Sequence, residues 1–67
     1  MIKEFDTVVI IEELPQYGIT KGTLGIVVMI HGNHDAYELE IFDDNYQALD
    51  VITAEATQVR LYDSYED

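Results

Sequence analysis

With 67 residues the chain has room for one domain, and a chain of this size buries only about 60% of the surface its unfolded form exposes. It contains no Cys, which excludes disulfides, thiolate zinc sites and Cys nucleophiles, so apolar packing must hold it together; 48% hydrophobic residues, with five Tyr and two Phe, supply that material and separate it from a disordered acidic tail. Fourteen Asp and Glu stand against Lys3, Lys21 and Arg60 for a formal net charge of -11, which argues against nucleic acid and anionic membranes as partners and for another protein, basic where the charge is functional.

Phe5 to Ile11 is a β-branched run too short for a typical helix, and predicts a first strand. Leu14-Pro15-Gln16-Tyr17-Gly18-Ile19-Thr20-Lys21-Gly22 follows as a long loop punctuated by one Pro and two Gly. Its own apolar residues, Leu14, Tyr17 and Ile19, are expected to fold back and pack under it. Leu24 to Ile30 predicts a second strand that is apolar on both parities, as in a strand that is buried or strongly bent; Gly25 marks a close backbone approach or a bulge. His31-Gly32-Asn33-His34 reads as a turn. From Ala36 to Phe42 the pattern alternates, with Tyr37, Leu39 and Ile41 inward and Glu38 and Glu40 outward. Asp43-Asp44-Asn45 makes a second turn, and Gln47 to Ile52 a fourth strand. Thr53 to Thr57 predicts one short helical turn capped by Thr53. Gln58 to Tyr62 is a fifth short strand, and residues 63–67 are expected to fray.

Five short strands, a long first loop, tight middle hairpins and a short helical turn before the last strand predict an all-β, SH3-like five-stranded barrel, with an open sheet or an OB-like barrel as alternatives. Residues 1–67 form a single domain in this reading, ordered from about 4 to 62. No apolar run reaches the roughly 18 residues a bilayer span needs, and Met1 to Asp6 lacks the order of a signal peptide, so the expected location is cytoplasmic.

The segment from Glu13 to Val28, with its Leu14-Pro15-x-Tyr17-Gly18 loop and Lys21-Gly22-x-x-Gly25-x-Val27 strand opening, resembles a bacterial family named domain of unknown function 4926. Tyr37 to Asp43 is similar to the family's central hairpin and Ala54 to Leu61 to its closing segment, so the resemblance spans roughly Phe5 to Leu61. The turn at His31 to His34 and the Ile52-Thr53 pair depart from it. The resemblance implies an SH3-like fold in a small stand-alone protein, and an immunity or antitoxin role beside a co-encoded toxin-like protein. Gly18-x-x-Lys21-Gly22-x-x-Gly25-x-Val27 is also similar to the KOW motif of ribosomal and elongation-factor domains. RNA binding does not carry over with it, because those domains hold RNA with basic surfaces and here one Lys faces many carboxylates.

Other constellations resolve to ordinary structure. Gly32-Asn33-His34-Asp35 resembles a short motif of calcineurin-like metallophosphoesterases, whose remaining ligands need a far larger sandwich; in this chain it is turn chemistry. His31, His34 and Asp35 sit on one turn with no visible supporting shell, so no metal is expected there. Asp43-Asp44-Asn45 lacks the alternating ligands and bidentate Glu of a calcium loop, and Glu38 with Glu40 reads as an outward polar face. No nucleophile triad, phosphate loop or dinucleotide fingerprint is present, and neither an enzyme nor a cofactor is expected. SH3-like barrels bind through aromatics beside the long loop, which draws attention to Tyr17, Tyr46, Tyr62 and Tyr65. The candidate protein-binding residues are Glu12, Glu13, Tyr17, Asp43, Asp44 and Tyr46, in a non-catalytic module that blocks or docks a basic protein. The first alternative is a structural domain that self-associates through its edge strands, so both monomer and homodimer remain open, and the second, less favoured because of the charge, is a KOW-like nucleic-acid-binding domain.

Overall fold

The computed structural model describes residues 1–42, 45 and 47–62. Among them lie five strands: β1 (Thr7–Ile10), β2 (Leu24–His31), β3 (Ala36–Phe42), β4 (Ala48–Glu55) and β5 (Val59–Leu61). They form one antiparallel sheet in the order β4-β3-β2-β1-β5, with β4 and β5 as its edges. The sheet does not close. A 3₁₀ turn at Ala56–Gln58 carries the chain from the end of β4 to β5, which pairs with β1, and the result is an all-β, SH3-like, partly open barrel.

β3 is its clearest element. Tyr37, Leu39 and Ile41 are buried as the alternation requires, and Leu39 and Tyr37 lie opposite the buried Ile52 and Ala54 of β4. Val8, Ile10, Val27 and Val59 complete the core with Leu14, which the long loop inserts from outside the sheet. No charged or amide side chain is buried among the described residues; Tyr37, with its hydroxyl, is the one core residue that carries a polar side-chain atom, and the rest are aliphatic.

β2 is apolar on both parities because its inward set changes halfway. Val27 lies opposite Leu39, but Met29 lies opposite Glu38 and Ile30 opposite Tyr37, so Val28 is the extra residue of a bulge. Inward positions therefore run Gly25, Val27 and then Ile30. Gly25 serves close approach rather than the bulge: a Cβ there would lie 3.1 Å from Ile41 Cδ1 and 3.3 Å from Leu39 Cβ.

Several boundaries differ from expectation. β1 begins at Thr7 because Phe5 has φ 69°, outside strand geometry, although its N–H still donates to the Val27 carbonyl at 2.7 Å. The helical turn expected at Thr53 to Thr57 lies at Ala56–Gln58, and Thr53 does not cap it. Thr53 and Ala54 are in β4, opposite Glu38 and Tyr37; burial of Ala54 and the long β3 partner outweigh the local capping signal. Glu55 caps instead, in a reciprocal box with Gln58, which is thereby in the turn rather than in β5. Residues 63–67 and the Asp43-Asp44 part of the second predicted turn lie outside the described residues.

Candidate functional site

The long first loop is pinned at its root. Leu14 is buried, donates its N–H to the Ile19 carbonyl at 2.9 Å, and accepts from the Ile19 N–H at 3.2 Å. Between them Pro15 opens a 3₁₀ turn at Pro15–Tyr17, which Gly18 ends in the left-handed conformation at φ 69°. Leu14 thus packs under the loop as expected, and Ile19 packs against the same core from a partly buried position. Tyr17 does not: it is 42% exposed.

Its hydroxyl reaches across the molecule instead. Tyr17 Oη accepts the Thr53 N–H of β4 at 3.4 Å, which ties the loop to the sheet's free edge. Glu12 is fixed in a second way: its Oε2 accepts from Gln58 Nε2 at 2.9 Å, while Gln58 Oε1 accepts the Glu55 N–H at 2.8 Å. Glu13 turns back into the loop, accepting the Lys21 N–H at 3.2 Å. Glu12 and Tyr17 are consequently both fastened to the C-terminal half of β4 and the turn after it, whereas Glu13 serves the loop itself. Asp43, Asp44 and Tyr46 lie outside the described residues, as does Tyr65.

Gln58 and Thr53 are the partners that sequence reasoning did not single out. Glu55-x-x-Gln58 has the spacing of a capping box and was the available signal. Nothing local marks the Thr53 amide, whose role depends on a tyrosine 36 positions away.

The histidines have structural partners. His31 Nε2 donates to Glu38 Oε2 at 2.9 Å, and the same oxygen accepts from Thr53 Oγ1 at 3.3 Å. His34, at φ 65° in the turn, donates from Nε2 to the Ile2 carbonyl at 3.2 Å and sets its ring edge-on to Tyr37. Among the described residues no three His, Asp or Glu side chains converge as metal ligands. A separate open depression of about 540 Å³ is lined by Met1, Lys3, Phe5, Asp6, Thr7, Leu61 and Tyr62. Of the described candidate protein-binding residues, Glu12, Glu13 and Tyr17, none lines it.

Residues 4–61 match the family described as domain of unknown function (DUF4926). The chain belongs to the DUF4926 family. No curated protein and no solved structure shows significant similarity to it. The DUF4926 match begins just before β1 and ends with the last residue of β5, so it takes in the whole described sheet, the long loop and both ends of the Glu12–Gln58 link. No helix among the described residues is long and apolar enough to cross a membrane.

Proposed function

We propose that this DUF4926 chain is a non-catalytic, cytoplasmic protein-binding module whose acidic surface engages a basic partner, in the manner of an immunity or antitoxin protein that acts by occupying its target. The carrying observation is that Glu12 and a half-exposed Tyr17 are held in place before any partner arrives, by Gln58 and by the Thr53 amide. Pre-ordered side chains avoid about 0.5–1.5 kcal/mol each of ordering cost on binding. An exposed aromatic ring and a fixed carboxylate on one module suit a basic, partly apolar partner. The excess of 14 acids over three basic residues would steer such a partner in from a distance.

The two residue types have different tasks in this reading. Glu12, Glu13, Asp43 and Asp44 act on association, and Tyr17 and Tyr46 act on dissociation. The test begins with tagged protein and native lysate at low and moderate salt, to identify a retained basic protein. Kinetics with that protein then decide: replacing the four acids with Ser should slow association about tenfold at low salt while dissociation changes little. An unchanged association rate would overturn the proposal.

A further inference from the structure

We infer that the outer face of the sheet, across β2, β3 and β4, docks a protein segment in which Lys or Arg is flanked by apolar residues. The inference rests on the proposed reading for the basic character of the partner and adds the surface that reads it. Residues directly opposite one another in a sheet project to the same side. Ile26, Glu40 and Val51 therefore form one row across the outer face, and Met29, Glu38 and Thr53 the next. Leu24 shares this side with Ile26. Met29 and Val51 are each 50% exposed and Leu24 40%, so apolar surface borders the two glutamates of these rows.

Glu40 gives this face its specificity. It is partly covered, its cross-strand neighbours are Ile26 and Val51, and its carboxylate makes no hydrogen bond or ion pair among the described residues. Its neighbour Glu38 is already engaged by His31 and Thr53. A lone carboxylate among aliphatic side chains is matched by a cation among aliphatic side chains, and a cationic segment also complements the net charge of -11. A second copy of the chain fits worse, since it would bring another Glu40 and another -11 to the same contact. Strand addition at the β4 edge is also obstructed. The outward N–H groups of Val51, Thr53 and Glu55 are already taken by Asp50 Oδ1, Tyr17 Oη and Gln58 Oε1. On this side of the sheet the partner is left the face.

The test titrates the full chain at low salt with two synthetic peptides of equal charge. In one, lysines are spaced by leucine and alanine; in the other, by serine. The leucine peptide should bind about tenfold tighter and move the amide signals of Ile26, Met29, Glu40 and Val51. Glu40→Gln and Val51→Ser should each weaken it about tenfold with the rest of the spectrum retained, while Glu4→Gln, the same charge change at an exposed residue outside these rows, should not. Signal changes confined to Glu12, Glu13 and Tyr17, or equal binding of the two peptides that ignores Glu40→Gln, would overturn the face and leave the acidic-module reading standing. No binding of either peptide at low salt would overturn both.

Discussion

Gln58 joins three segments. Its Oε1 takes the Glu55 N–H, its Nε2 reaches Glu12, and its backbone N–H closes the capping box on the Glu55 side chain. Loss of a cap of this kind costs about 0.5–2 kcal/mol, and each kcal/mol moves Tm by roughly 4–8 °C in a domain of this size. Gln58→Ala should therefore lower Tm by several degrees in a thermal melt. Gln58→Glu should be worse than Ala, because it sets a third carboxylate between Glu12 and Glu55. A melt that ranks Glu above Ala would show that the link to Glu12 contributes nothing. Legibility at this scale was uneven. Glu12 and Tyr17 were marked by their types beside a long loop, but the amide and the glutamine that hold them were not, since both contacts join residues far apart in sequence.

Strands were read best where one face is buried and the other wet. β3 meets that condition and its Ala36–Phe42 bounds were legible in full from alternation. β2 showed only that both parities were apolar; the Val28 bulge that explains this depends on how Met29 and Ile30 register against β3. β4 ran past its expected end because pairing with β3 outweighed the cap signal at Thr53. That longer strand leaves an edge, and three side chains guard it. Removing one guard should have a visible effect: Tyr17→Ala frees the Thr53 N–H and should raise self-association over the native chain in sedimentation velocity at high concentration and moderate salt. Tyr17→Phe, which lacks only the hydroxyl, should move in the same direction. Identical masses for all three chains would mean that Asp50 and Gln58 suffice to close the edge.

At the scale of the whole molecule, charge was the most legible property and its consequence for stability is opposite to its consequence for binding. Among the described residues several carboxylates accept from backbone N–H groups, as Asp6 does from Lys3, Glu13 from Lys21 and Asp50 from Val51, and no Lys or Arg side chain forms a salt bridge. These bonds leave the charge in place. The described structure measures 31 × 28 × 20 Å, and the screening length is about 30 Å at 0.01 M salt but about 8 Å at 0.15 M. At low salt each carboxylate feels nearly all the others; at 0.15 M it feels only its neighbours. Raising NaCl across this range should therefore increase Tm by several degrees, measured by calorimetry, and have little further effect beyond it. A flat Tm would mean that the unfolded chain is repelled as strongly as the folded one. Partner capture by the same acids should instead weaken over that interval, so a single salt series separates the two roles of the charge. Rising Tm with falling association rate is the signature of acids retained for a partner at the expense of stability, and rising Tm with an indifferent association rate that of acids that only solubilise.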